Sequence, residues 1–164
     1  MKRVVLVAVL AGVVLATLWI IKAPTSRPSS YDFRLETWDH QRFYLHEHRG
    51  KAVVLMFWDT QCVICKQEMA WLRNIHAQNT NNLTIAAICT DPKNSDTLSH
   101  IVEILALPYP ILLDPGAVLA QRYGVRVYPT TVILDQAGQQ AAVITGYSEI
   151  IQRQLTQRIE RLLK

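Results

Sequence analysis

Three kinds of apolar run divide the chain. Residues 4–21, VVLVAVLAGVVLATLWII, are 18 consecutive positions without a charge, preceded by Lys2-Arg3 and followed by Lys22. As a helix rising 1.5 Å per residue such a run would cover about 27 Å, close to the hydrocarbon thickness of a bilayer. Residues 52–58 (AVVLMFW) and 83–89 (LTIAAIC) are also almost wholly apolar but only strand-long, which predicts strands covered on both faces. Over residues 62–78 the apolar positions Cys65, Met69, Leu72 and Ile75 recur at helical spacing, so a helix follows the first buried strand.

The remaining elements are read from alternation and punctuation. Residues 32–37 and 42–45 alternate polar with apolar around a turn at 39–41, predicting an antiparallel hairpin. Asn94 or Ser95 can cap a helix to about residue 105, residues 108–114 read as a strand, and 115–123 as a short helix that Gly124 ends. A strand over 130–135, a turn at 136–139 and a strand over 140–145 form a second hairpin. Ser148 then caps a C-terminal helix whose last turns carry Arg158, Arg161 and Lys164, cations that suit a helix C-terminus. Strands alternating with helices before a closing hairpin and helix indicate an α/β fold with helices flanking a mixed sheet.

A chain of 164 residues has room for one such domain and an accessory segment. The 18-residue run is longer than the apolar core of a secretory signal, and the junction Ile21-Lys22-Ala23-Pro24 lacks a small-x-small cleavage site. The expectation is an uncleaved membrane anchor at 1–22, an extended Pro/Ser-rich linker at 23–30 (APTSRPSS) and a domain at 31–164. With Lys2 and Arg3 on the inner side, that domain lies outside the cytoplasm. The first cysteine is Cys62, which leaves no lipoprotein alternative. Charge changes the picture once it is located. Four of the 17 basic residues precede residue 31 and all 13 acidic residues follow it, so the domain holds 13 of each sign. A neutral domain has no footprint for a phosphate backbone, and nucleic acid is excluded as a default partner.

The chemistry centres on Cys62-Val63-Ile64-Cys65, where the buried strand hands over to the helix. A thiol at a helix N-terminus faces unpaired N–H groups that stabilise its thiolate, which makes Cys62 the nucleophile of a redox pair. Cys65, one turn on, is the resolving thiol. Competing readings are a metal half-site, for example for Cu(I), a structural disulfide, and a binding adaptor without catalysis. No second CxxC or HxxxH completes a zinc set, and His40, His46, His48, His76 and His100 meet no ligand spacing. No cofactor or metal is therefore assigned. Cys89, at the end of its apolar strand, reads as a small core residue. Glu68 shares the helical face of Cys65 and could exchange its proton if burial raised the carboxyl's pKa.

These residues resemble the thioredoxin superfamily, specifically its membrane-anchored TlpA/ResA/CcmG type. The likeness is carried by YDFRLETWDHQRFYLHEHRGKAVVLMFW, by CVICKQEM, by a central insertion over 83–114 and by YGVRVYPTTVILDQAGQ. It implies a thioredoxin-like fold with an N-terminal hairpin extension, and a cis Tyr128-Pro129 bond beside the CxxC. It further implies substrate pairing near Tyr128 and a proton-transfer role for Glu68. Pro129 thereby joins Cys62, Cys65 and Glu68 as a site residue, and Tyr128, Trp58 and Gln61 are assigned to the substrate-facing surface. Core packing competes for Trp58, as for Trp38 and Trp71. Gln61 stands where the family carries Trp, which alters the surface around the nucleophile. A peroxidase of related fold would need Thr or Ser three residues before its cysteine, where Asp59 stands. The resemblance implies partner proteins bearing thiols or disulfides, a membrane thiol reductant as electron donor, and the direction of a reductase. The uncharged Val63-Ile64 pair argues against a potent oxidant.

Overall fold

The structure, a computed structural model, describes residues 31–93 and 95–164. The expected anchor and linker at 1–30, and Asn94 as a helix cap, lie outside the described residues. Among those described, no helix is long and apolar enough to cross a membrane.

Among the described residues, seven strands form one mixed sheet: β1 (Arg34–Thr37), β2 (Arg42–Tyr44), β3 (Ala52–Trp58), β4 (Leu83–Cys89), β5 (Ile111–Leu113), β6 (Thr130–Leu134) and β7 (Gln140–Thr145). Their order is β2-β1-β5-β4-β3-β6-β7, with β3, β4 and β5 parallel and the remaining pairings antiparallel. Among the described residues, four α-helices complete the fold, α1 (Val63–Gln78), α2 (Ser95–Leu105), α3 (Val118–Arg122) and α4 (Glu149–Leu163), with a short 3-10 helix at Leu45–His48. This is the α/β arrangement that the pattern predicts, with the hairpin extension at one sheet edge.

All seven residues of β3 are buried, as expected of a strand covered on both faces. Val54, Met56 and Trp58 pack with Cys65, Met69 and Leu72 of α1, Leu98 and Ile101 of α2, and Leu155 and Ile159 of α4. Val53, Leu55 and Phe57 pack on the opposite face with Phe43, Leu45, Leu119 and Tyr123. The extension hairpin thus closes the second core by inserting Phe43.

Two elements are shorter than their sequence pattern suggests. The strand expected over 108–114 pairs only at Ile111–Leu113, because Pro108 and Pro110 have no N–H to give to a ladder; Pro110 contributes its carbonyl alone, to Ala87 N at 3.0 Å. The helix expected over 115–123 is confined to Val118–Arg122, since Ala117 is left-handed at φ 55°. Its first turn is held by Asp114, a buried carboxylate that accepts from Leu119 N and Ala120 N, each at 2.9 Å. Ser148 caps α4 as expected, accepting from Ile151 N. At the β6–β7 turn Gly138 is required twice over: its φ is +72°, and the Arg49 guanidinium occupies the space a Cβ would need.

Asp114→Ala leaves two buried N–H groups without an acceptor and is expected to lower stability by roughly 2 kcal/mol. The measurement is urea unfolding of the disulfide-intact protein; an unchanged midpoint would show that the cap is dispensable.

Candidate active site

The site forms where β3 stops. Asp59, Thr60 and Gln61 carry the chain from Trp58 to Cys62, the N-cap of α1. The Cys62 Sγ accepts from Cys65 N at 3.2 Å, so the sulfur occupies the place of a capping oxygen among the unpaired donors of a 16-residue helix. Cys62 and Cys65 are bonded to each other, with Cα atoms 5.3 Å apart. Their environments differ: Cys62 is half-buried, whereas Cys65 is completely enclosed. Only the first sulfur of the pair is open to an incoming thiol or disulfide. Among the described residues, no cluster of three or more His, Cys, Asp or Glu side chains surrounds it.

The Thr60 loop is held from the neighbouring strand. Asp91, two residues past the end of β4, accepts from Thr60 N at 2.8 Å and from Thr60 Oγ1 at 2.5 Å. Its Oδ1 also receives the Cys89 thiol at 3.4 Å. Cys89 is wholly buried, and burial first of all pushes its thiol far above the ordinary range, which keeps it a core residue. Asp91 carries no motif that marks it in the sequence, because its partner lies 31 residues away.

Pro129 comes to the same end of the sheet because β6 runs antiparallel to β3 and begins at Thr130. The Tyr128-Pro129 bond is cis, as the family resemblance implies. Pro129 is buried and its carbonyl accepts from Gly146 N at 2.8 Å, while Tyr128 is half-buried. Val63, Ile64 and Val127 are exposed beside them, and Gln61 is exposed at the mouth. Trp58 requires a correction. Assigned above to the substrate-facing surface, it is completely buried in the core over α1, because β3 is covered on both faces up to its last residue. It contacts no solvent and packs instead of binding.

Glu68 lies one turn beyond Cys65 and is fully enclosed. Its Oε1 accepts from Thr131 Oγ1 at 2.5 Å, and its Oε2 has no partner. Burial, only partly offset by the Thr131 hydrogen bond, raises the carboxyl's pKa to about 7. A carboxyl poised there can hold or release a proton near neutrality, which an exposed glutamate cannot do. Thr131 is the second residue that the sequence does not reveal. A threonine in a strand is ordinary, and its link to Glu68 spans 63 positions.

Against known proteins, the chain matches the model of the AhpC/TSA family over residues 29–142. It is 33% identical over 109 residues to the thioredoxin-like protein YneN of Bacillus subtilis, covering 65% of this chain and 64% of that one. It is 30% identical over 116 residues to the thiol-disulfide oxidoreductase ResA of Halalkalibacterium halodurans, covering 70% of this chain and 65% of the relative. The matched stretch therefore spans just under two thirds of these relatives' length. In fold it is similar to a secreted Mycobacterium tuberculosis disulfide oxidoreductase homologous to Escherichia coli DsbE. That TM-score is 0.70 at 24% identity, covering 83% of this chain and all of the other.

The buried carboxyl has a thermodynamic signature. Folding raises its pKa from 4.5 to about 7, so between those values the native protein keeps a proton that the unfolded chain has released. Stability from this group is complete below about pH 4.5 and is lost as pH rises through 7, by about 3 kcal/mol in all. Denaturant unfolding of the oxidised protein at pH 5 and pH 8 should show that loss in the wild type, and Glu68→Gln should abolish it. Equal slopes in the two proteins would mean that Glu68 titrates normally.

Proposed function

Because the chain belongs to the AhpC/TSA family, we propose that it is a thiol-disulfide oxidoreductase that reduces disulfides in partner proteins, anchored by residues 1–22 with its domain outside the cytoplasm. The observation that carries this reading is the asymmetry of the Cys62–Cys65 pair, one sulfur reachable at a helix N-terminus and the other enclosed. Cytochrome c maturation or the upkeep of metallochaperone thiols are the settings it fits. Electrons arrive from a membrane thiol reductant. The uncharged 18-residue run at 4–21 supports the anchor.

In the reduced protein, the N-terminal donors of α1 stabilise the Cys62 thiolate. That thiolate attacks one sulfur of a substrate disulfide; the substrate's S–S bond breaks, its other sulfur leaves as a thiolate, and a mixed disulfide forms on Cys62. Glu68 takes the proton of Cys65, which attacks the Cys62 sulfur. The second substrate sulfur is released and the Cys62–Cys65 disulfide closes. The substrate has gained two electrons and the enzyme has lost two; the membrane donor restores the dithiol. Pro129 and Tyr128 shape the surface on which an extended substrate segment lies, with Gln61 at its edge. The apolar Val63 and Ile64 place no charge beside the thiolate, in keeping with a reductant.

Cys65→Ala is expected to accumulate a covalent adduct through Cys62, and Cys62→Ser to abolish both exchange and adduct. Glu68→Gln should slow release of the mixed disulfide about 10- to 100-fold near pH 7 while leaving its formation unchanged. Mass spectrometry of trapped species reads all three; an adduct on Cys65 or Cys89 would reverse the assignment. Equilibration with glutathione should give a potential nearer about −270 mV than about −120 mV. A value at the oxidising end would make the protein an oxidant of folding chains.

A further inference from the structure

The register of the sheet lines up one residue from each of five strands. Trp58 pairs with Cys89, Cys89 with Leu113, Leu113 with Glu36, and Glu36 with Arg42. Residues directly opposite one another share a face, so this row runs across the face that carries α1. At Trp58 it is sealed beneath the helix; from Leu113 outward it emerges into an open cleft of about 750 Å³. Arg34, Arg42 and Lys93 surround that cleft, over a floor that includes Leu113 and Pro115. All three cations are exposed, and none has an ion-pair partner among the described residues. The one carboxylate in the wall, Glu36, already accepts from or pairs with His40 Nδ1 at 2.8 Å. The domain as a whole is neutral, so this is a local concentration of positive charge.

The cleft is tied to the active-site loop through the segment that follows β4. Lys93 lies two residues from Asp91, whose carboxylate holds Thr60, and Thr60 is two residues from Cys62. With strands about 4.8 Å apart, the cleft extends from about 10 Å to about 19 Å sideways of β3. An extended polypeptide covers that distance in roughly three to six residues.

We infer that the cleft edged by Arg34, Arg42 and Lys93 docks an acidic, extended segment of the substrate protein, with its carboxylates roughly three to six residues from the cysteine that meets Cys62. The assignment rests on the oxidoreductase reading above and names the substrate class that this reading leaves open. Charge complementarity selects the occupant, and the apolar floor at Leu113 and Pro115 receives the side chains between its carboxylates.

The full chain in a neutral detergent, reduced at Cys62 and Cys65, is presented with synthetic peptides whose single cysteine is in mixed disulfide with glutathione. One set carries Asp-Glu four and five residues from the cysteine, on either side in separate peptides; a second carries Asn-Gln there; a third carries Asp-Glu adjacent to the cysteine. The readout is the appearance of the peptide thiol. At about 20 mM salt, the first set should contain a peptide whose single-turnover reduction half-saturates at a concentration (KM) about three- to tenfold below that of its Asn-Gln counterpart, at equal maximal rate. The advantage should vanish at about 500 mM salt and in the combined Arg34→Gln, Arg42→Gln, Lys93→Gln variant, and should invert when the three are replaced by Glu. Equal KM values for all peptides, a preference limited to adjacent carboxylates, or an acidic preference that survives in the variants would each overturn the inference. Binding of the same peptides with serine for cysteine, followed by anisotropy on Cys62→Ser protein, separates docking from chemistry. Charge-dependent binding without exchange in the active protein would uphold the cleft and locate the failure in the oxidoreductase reading. If the variants lose affinity for phosphatidylglycerol vesicles while peptide KM stays unchanged, the surface is a lipid contact and the inference falls.

Discussion

With side chains packed against both faces of β3, no polar group can operate along its length, and chemistry is confined to its end. Everything at the site follows from what the sheet delivers there. Parallel pairing with β4 sends Asp91 to the same end; antiparallel pairing with β6 starts that strand there and brings Pro129 with it. Three loops from three adjacent strands therefore converge on one helix terminus. The hydrogen bonds from Thr60 to Asp91 fix the first loop to the second, and the carbonyl of Pro129 is fixed by Gly146. A shift in the β3–β4 register by one residue would move Trp58 to the opposite core and dismantle this arrangement.

Of the two buried carboxyls among the described residues, Asp114 has a partner at each oxygen and Glu68 at only one. A carboxyl enclosed with one oxygen bonded to Thr131 and the other unpartnered is costly in its charged form and tolerable when protonated. Its position one turn beyond Cys65 places that cost next to the enclosed cysteine of the pair. Near its midpoint, with a pKa of about 7, the energetic difference between its two states is small, and a change in the adjoining sulfurs can tip it.

The elements that sequence made legible are those whose cause is local. The runs at Ala52–Trp58 and Leu83–Cys89 are strands with the expected bounds, and the Ser148 cap and the Gly124 stop follow from side chain and backbone alone. Cys62, Cys65 and Glu68 were legible because a helix fixes their spacing. What escaped depends on residues distant in sequence. Asp91 matters through Thr60, Thr131 through Glu68, and Asp114 through a helix that begins only after the left-handed Ala117. Trp58 was misplaced for a related reason: adjacency to a motif says nothing about burial, which α1 decides by lying over it. The truncated β5 shows a local signal outweighed by another, since two prolines interrupt an otherwise strand-like run.

Cys89 sits in the middle of the cross-sheet row, between Trp58 and Leu113, enclosed and held by Asp91. Three cysteines allow three pairings. Once the domain is folded two of the three are closed, because a thiol locked into a strand cannot swing to meet Cys62 or Cys65 and resists the ionisation that exchange requires. In the folded domain the odd cysteine thus behaves as a counted but silent sulfur, held outside the Cys62–Cys65 pair.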